Sequence, residues 1–149
     1  MKAPVSDGIE VAASTDLPAI LALLTSAGLP VADVGPASHP DFLVARRDGC
    51  VAGVVGLERF GDVGLLRSLA VNEEHRGQGL GLALTRALEE RAARSGVVAL
   101  VLLTETARDF FQHRGYQVIA RTQAPAAVQA SSEFRSLCPQ SAVCLSKRL

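Results

Sequence analysis

The sequence lacks a net charge, because its 15 lysines and arginines balance its 15 aspartates and glutamates. No general electrostatic field therefore favours nucleic acid or an anionic membrane as a partner. The longest apolar run, Val97–Leu103, has the length of a strand and falls far short of the roughly 20 residues of a membrane helix. Met1–Asp7 contain one lysine and no apolar run, so no signal peptide is indicated and we expect a cytoplasmic protein.

Cysteine is also scarce, with only Cys50, Cys138 and Cys144 in the chain. Their number is odd and they lack the close paired spacing of a zinc site, so no metal cofactor is predicted. In the cytoplasm these thiols are expected to stay reduced. The sequence contains no repeat and no low-complexity segment.

What is present predicts one α/β domain over residues 1–149, with 48% apolar residues available for a core. Apolar runs at Phe42–Arg46 and Val51–Leu57 flank Asp48-Gly49, a dipeptide favoured in hairpin turns. With a further strand at Gly64–Val71 they predict an antiparallel meander.

The pattern changes after Asn72 to one helix followed by one buried strand. The stretch from Gly79 or Leu80 to Ser95 has a helical apolar stripe, and Val98–Leu103 is apolar on both faces, as expected of a central strand. Strand, helix and strand in this order predict a right-handed βαβ unit with a parallel pair at the centre. The other predicted elements are a strand at Ile9–Ala13, a helix over Leu17–Leu24 capped by Ser14 or Thr15, a helix at Thr106–Arg114, a strand at Tyr116–Arg121, a helical turn at Pro125–Ala130 and a last strand at Ala142–Lys147.

A glycine-rich loop joins that strand to that helix, and it carries the clearest chemical signal. Its sequence is Arg76-Gly77-Gln78-Gly79-Leu80-Gly81. Helix N-terminal amides are unpaired and attract anions, and glycines allow a bulky anion to come close, so the loop predicts a pyrophosphate site. It lacks the Gly-Lys-Ser/Thr ending of a P-loop. A dinucleotide fingerprint is excluded because Leu82 stands where its third glycine belongs.

Arg76-x-x-Gly79-x-Gly81 after a strand resembles the coenzyme A signature of the GNAT family of N-acetyltransferases. Phe110-Phe111 and Gly115-Tyr116 are similar to the aromatic pair and the glycine-aromatic pair that follow in that family. The order of elements agrees along nearly the whole chain. The resemblance implies a mixed central sheet flanked by helices, acetyl-CoA as co-substrate, and acetyl transfer to the amine of a small molecule.

A narrower resemblance concerns a subgroup of that family associated with arsenic resistance and detoxification. It is carried by three segments: Leu65–Val71, Leu102–Ala107 and Glu133–Ala142. Relatives of this type acetylate the α-amine of arsinothricin or of its phosphorus analogue phosphinothricin. The resemblance implies such an amino acid as acceptor, and an ordinary amino acid is the alternative.

The resemblance also assigns roles to residues. Those implied to bind the cofactor are Leu69, Ala70, Val71, Arg76, Gly77, Gln78, Gly79, Leu80, Gly81, Thr104, Thr106, Phe110 and Phe111. Glu58, a polar residue at the end of an apolar strand, is the candidate catalytic base, although a solvated carboxylate is the alternative. Many relatives place a tyrosine acid where Phe111 stands, and Phe111 has no proton to give. We expect the only tyrosine, Tyr116, to pack in the core.

The acceptor is expected to contact a second group of residues. Arg67 and Ser68 lie next to each other on an apolar strand and are expected to face opposite ways. An arginine there must reach an anion, which is either an acidic acceptor or a structural ion-pair partner. The residues predicted to bind substrate are Arg67, Ser68, Glu133, Phe134 and Ser141.

Two readings from other functional classes stay open. One is an acyl-CoA-binding sensor without turnover, which the missing tyrosine at Phe111 allows. The other is a metalloid-binding module with Cys138 and Cys144 as thiolate ligands. Dimerisation is common in the family, so a homodimer is an open outcome, but nothing in the sequence identifies an interface.

Overall fold

A seven-stranded sheet forms the centre of the computed structural model, which describes residues 8–149. Met1–Asp7, where no signal peptide was expected, lie outside the described residues. The strands are β1 (Ile9–Val11), β2 (Asp41–Arg47), β3 (Cys50–Phe60), β4 (Val63–Val71), β5 (Ala99–Thr104), β6 (Gln117–Ile119) and β7 (Val143–Arg148). The helices are α1 (Leu17–Ser26), α2 (Leu80–Arg94), α3 (Arg108–His113) and α4 (Ala126–Gln129).

The strand order is β1-β2-β3-β4-β5-β7-β6. Only β4 and β5 run parallel, and all other neighbours are antiparallel. The predicted mixed sheet, with an antiparallel meander and a parallel centre, is confirmed. The position of β7 between β5 and β6 was not predicted, because strand order across a sheet is not encoded in periodicity.

The hairpin between β2 and β3 turns at the predicted dipeptide. Asp48 and Gly49 have φ angles of 54° and 79°, as a two-residue hairpin turn requires. At its other end, β3 turns into β4 at Gly61-Asp62. Strand β3 extends beyond the apolar run that predicted it and reaches Phe60, whereas β4 differs from its predicted range by one residue.

The two faces of the sheet bury separate apolar groups, because alternate residues of a strand point to opposite sides. Leu57, Leu66 and Leu100 pack beneath α2, whose stripe residues Leu84 and Leu88 have 0% exposure. The opposite face is covered by α1 near β2 and β3 and by α4 near β4 and β5. The apolar clusters beneath α1 and α4 are distinct, and polar side chains lie between them.

Several local predictions are wrong in detail. Ser14 and Thr15 do not cap α1: they form a 3₁₀ turn with Asp16, which occupies the N-cap position itself. The Asp16 carboxylate is held by an ion pair with Arg46, with 2.7 Å between Nη2 and Oδ2. The helix predicted at Thr106–Arg114 is only the six residues of α3, because Thr104 Oγ1 accepts the N–H of Ala107 and forms a turn before it.

Three further short helical segments were not predicted. A 3₁₀ turn, Glu73–His75, interrupts the loop before α2, another, Arg121–Gln123, follows β6, and a π-helical turn, Glu133–Leu137, follows α4. The π-helical turn matters for the site, because it carries Glu133 and Phe134 into the interior. Among residues 8–149, no helix combines the length and apolar character required to cross a bilayer.

Candidate active site

The glycine-rich loop enters α2 with an open outer side. Gly77 and Gly79 have φ angles of 82° and 80°, a conformation that side chains disfavour, and Gly79 is the N-cap of α2. A Cβ atom built on either glycine would meet nothing within 4 Å. The first amides of α2 have no acceptor within the helix. The loop therefore presents backbone donors to an accessible space, which suits a pyrophosphate.

Residues around the loop fix its orientation. The Arg76 Nε donates to the carbonyl oxygen of Val71 at the end of β4, over 3.2 Å. Phe110 lies beside the first helical turn, 3.8 Å from the position of a Cβ on Gly81. Its ring packs edge-on against Phe111, with 5.0 Å between ring centroids. The predicted loop and the predicted aromatic pair are thus neighbours in space.

Strands β4 and β5 separate in the middle of the sheet. They pair only over Val63–Leu65 and Ala99–Val101, and the residues beyond these are not paired with each other. A cleft of about 460 Å³ lies at this separation. Two parallel strands that diverge in this way leave room for an extended ligand between their edges.

The cleft gathers many of the predicted residues. Those that line it and were predicted to bind cofactor or substrate are Arg67, Ser68, Leu69, Thr104, Thr106, Phe111 and Glu133. Residues that line it and were not predicted include Glu105 and Cys138, together with the Ala27–Pro30 segment after α1. Phe134 lies instead in the apolar cluster under α4, and Ser141 is exposed outside the lining.

A β-bulge shapes the wall of this cleft on β4. Val54 pairs with Ala70 and Gly56 with Arg67, so two residues of β4 oppose one residue of β3. Within the bulge Ser68 has a φ angle of 60°, which costs a residue with a side chain about 1–2 kcal/mol. Strain of this kind concentrates at functional sites. The expectation that Arg67 and Ser68 face opposite ways is wrong, because the bulge interrupts the alternation and Arg67 Nε donates to Ser68 Oγ over 3.2 Å.

Arg67 is the centre of a buried polar cluster on the same side of the sheet as α1 and α4. Its side chain has 0% exposure. Its Nη1 and Nη2 donate to the two carboxylate oxygens of Asp33, over 2.5 and 2.8 Å. Nη1 also donates to Glu58 Oε1 over 3.0 Å, and Nε lies 3.4 Å from Glu133 Oε2. One guanidinium thus holds three carboxylates.

Burial and the ion pairs with Arg67 change the pKa values of the groups in this cluster. Burial raises the pKa of Glu133, while the positive charge of Arg67 opposes that rise. The hydrogen bonds from Arg67 lower the pKa of Asp33. Cys138 lies against Glu133, and burial raises the pKa of its thiol to about 12, so it is not a ready nucleophile. Burial likewise raises the pKa of Cys144 to about 11.

Asp33 was missed by the sequence prediction. It lies in the Gly- and Pro-rich connection between α1 and β2, where an isolated aspartate carries no signal of a site. Glu58 is brought to Arg67 but does not line the cleft. Tyr116 packs as expected: it is 2% exposed, stacks edge-on against Phe111, and its hydroxyl donates to Glu89 on α2.

No three His, Cys, Asp or Glu side chains within residues 8–149 are arranged to hold a metal ion. The carboxylates of Asp33, Glu58 and Glu133 instead contact the guanidinium of Arg67. Cys144 is buried in the cluster under α4, whereas Cys138 faces the cleft.

Comparison with known proteins gives three kinds of match. A model of the acetyltransferase (GNAT) family matches residues 26–116, which include the loop, α2 and most of the cleft. An amino-acid acetyltransferase of Pseudomonas aeruginosa is 35% identical over 96 residues, which are 63% of this chain and 22% of that protein. The corresponding Azotobacter vinelandii enzyme is 34% identical over 88 residues, 58% of this chain and 20% of the enzyme. The chain thus spans about a fifth of the curated relatives' length.

Solved structures share the fold over 95% of this chain. An N-acetylglutamate synthase from Neisseria gonorrhoeae, solved with coenzyme A and N-acetyl-glutamate, has a TM-score of 0.77 at 24% identity, with 34% of that chain covered. A Mycobacterium tuberculosis protein solved with CoA has a TM-score of 0.79 at 22% identity, with 98% of it covered.

Proposed function

Because the chain belongs to the acetyltransferase (GNAT) family, we propose that it transfers the acetyl group of acetyl-CoA to the amine of a small amino acid. One observation carries the proposal. A single cleft joins the separation of β4 and β5 to a buried arginine that is surrounded by carboxylates. A thioester arm and an amine acceptor would meet in this cleft.

The residues present fit acetyl-CoA, which would supply an activated acyl thioester. The open faces of Gly77 and Gly79 suit the pyrophosphate. In this proposal Gln78, Leu80 and Gly81 add backbone amides, and Arg76 adds a positive charge. Leu69 and Val71 on β4, with Ala70 between them, would hold the pantetheine arm opposite Thr104 and Thr106 on β5 and the loop that follows it.

The chain's own groups would promote the transfer modestly. An α-amine has a reference pKa near 8, so about a tenth is neutral at pH 7 and little base assistance is needed. Glu58 accepts a hydrogen bond from Arg67 and is the proposed proton acceptor, acting through water because it does not line the cleft. Backbone N–H groups at the bulge near Leu69 would polarise the thioester carbonyl. A thiol with a reference pKa near 8.5 leaves without strong protonation, which accords with Phe111 having no proton to give.

We further propose that the acceptor carries an acid group that pairs with Arg67. A planar guanidinium binds carboxylates and related oxyanions with two parallel hydrogen bonds. The curated relatives are amino-acid acetyltransferases, which supports an amino acid as acceptor. The resemblance to the arsenic-resistance subgroup extends the proposal to arsinothricin and phosphinothricin. Ser68 and Glu133 would complete the acceptor site, with Phe134 and Ser141 at its margin.

An acyl-CoA sensor without turnover is the second candidate. It is favoured by the lack of a tyrosine among the residues that line the cleft: Phe111 stands where many relatives have a tyrosine, and the Tyr116 hydroxyl donates to Glu89. The two candidates differ in whether thiol is released in the presence of an amine.

The test is thiol release from acetyl-CoA with arsinothricin, phosphinothricin, L-glutamate and spermidine. We expect turnover with the amino acids and little with spermidine. Arg67→Lys keeps the charge but loses the two-pronged geometry, so it should raise the KM of the acidic amino acids by about tenfold. Arg59→Lys, at an exposed position of β3, is the matched control. Binding of coenzyme A without turnover on any amine would favour the sensor.

A further inference from the structure

The guanidinium of Arg67 is already occupied by the protein itself. All three of its nitrogens have an acceptor, and the side chain has 0% exposure. The acid group of an acceptor can therefore reach this guanidinium only if one of the internal partners leaves. The partners differ in how easily they can leave and in how many donors of Arg67 their departure would free.

Glu133 is poorly placed to leave, because its side chain is 5% exposed and it lies within the π-helical turn. Ser68 belongs to the bulge of β4. The Glu58 side chain is 28% exposed, but it accepts a single bond from Arg67, so its departure would not free the two parallel donors that an acid group needs. Asp33 differs from all three. It lies in a loop, its carboxylate accepts two parallel bonds from Arg67, and its side chain is 24% exposed.

The loop around Asp33 is anchored, so only its side chain has to move. Val34 is buried in the apolar cluster under α1, with 8% exposure, and its N–H donates to the carbonyl of Val31 over 3.0 Å. The same connection supplies Ala27–Pro30 to the wall of the cleft. A rotation of Asp33 towards solvent would open the guanidinium without unfolding the loop.

The charges around Arg67 favour replacing one carboxylate by the acid group of the acceptor over adding a fourth anion. With all groups ionised, three carboxylates surround one guanidinium, so a fourth anion would meet a net negative cluster. The hydrogen bonds from Arg67 lower the pKa of Asp33, which is therefore an anion at neutral pH. Replacing one anion by another leaves the charge of the cluster unchanged.

We propose that Asp33 determines acceptor specificity: its carboxylate occupies the guanidinium of Arg67 until the acid group of the acceptor displaces it. This inference rests on the proposed function. An acid group that can match the two bonds made by Asp33 displaces it, whereas a neutral acceptor cannot. Asp33 thus acts as an internal competitor that admits acidic acceptors and keeps the arginine paired in their absence.

The test uses Asp33→Asn and Asp33→Ala, with Asp41→Asn at the exposed start of β2 as the control of equal charge change. The acceptors are L-glutamate, phosphinothricin and L-glutaminamide, which has the amine but no acid group. Thiol release gives kcat and KM, and calorimetric titration in the presence of coenzyme A gives Kd. We expect both Asp33 variants to lower KM and Kd for the acids by about tenfold, with kcat and L-glutaminamide unaffected.

Other outcomes overturn the proposal. Unchanged or weaker binding of the acids by folded Asp33 variants would mean that Asp33 orients Arg67 instead of competing with the acceptor. Equal gains for L-glutaminamide would mean a general opening of the cleft. If both variants fail to fold, Asp33 is structural and the proposal is wrong. If the wild-type protein acetylates no amine, the proposed function fails, whereas the Kd values for L-glutamate still decide the role of Asp33.

Discussion

Substituting Gly79 by alanine should separate cofactor binding from stability. The φ angle of 80° at Gly79 costs alanine about 1–2 kcal/mol, but its Cβ meets nothing within 4 Å, so no further loss of stability is expected. For a domain of this size that cost lowers the melting temperature by about 2–8 °C. In the proposed complex the same Cβ enters the space of the pyrophosphate. The loss of one or two backbone bonds to that anion, each worth about 1.5–3 kcal/mol, should weaken coenzyme A binding by about 10- to 100-fold or more.

Gly61→Ala is the matched control. Gly61 has a φ angle of 69° and equally open space around a Cβ, but it lies in the turn between β3 and β4. Thermal melts should show similar losses for the two variants, while calorimetric titration with coenzyme A should show weaker binding only for Gly79→Ala. Equal affinity of both variants for coenzyme A would refute the assignment of the loop as the pyrophosphate site.

Two further predictions concern stability. Tyr116→Phe removes the hydroxyl bonded to Glu89 and should lower the free energy of unfolding by about 1 kcal/mol in urea titrations, with kcat unchanged; a large loss of kcat would instead make Tyr116 the missing acid. The hydrogen bonds from Arg46 lower the pKa of Asp16 in the folded protein. The ionised carboxylate therefore contributes fully to stability above its unfolded pKa of about 3.9. This contribution is lost as the pH falls through the lower pKa of the folded state. Acid unfolding curves should therefore show the wild-type advantage over Asp16→Asn shrinking across that range, and an advantage that is constant with pH would contradict this reasoning.

Local features of this fold could be predicted from the sequence because each is specified by a few neighbouring residues. Asp48-Gly49 indicates its own turn, and the glycines before α2 indicate the loop that leads into that helix. The apolar stripe of α2 likewise identified the face that covers Leu57 and Leu66.

The polar cluster could not be predicted in the same way. Arg67 and Asp33 are far apart in the chain, and only the packing of the α1–β2 connection against β4 brings them together. The bulge at Ser68 was not predicted either, because nothing in the residue pattern of β4 marks the point at which its alternation is interrupted. Glu133 was predicted from the family resemblance, but its burial depends on a π-helical turn that no periodic pattern of apolar residues predicts.

The insertion of β7 between β5 and β6 has a consequence for the order of folding. Strand β6 pairs only with β7, and β5 has just three pairs with β4 on its other side. Thr104 pairs with Val143 and Ala99 with Arg148, so these contacts close long loops and should form late. During synthesis, the antiparallel meander and α2 would therefore form before β7 pairs with β5. The far wall of the cleft includes residues of β5 and of the loop after it, and it would be fixed in position only when β7 pairs with β5.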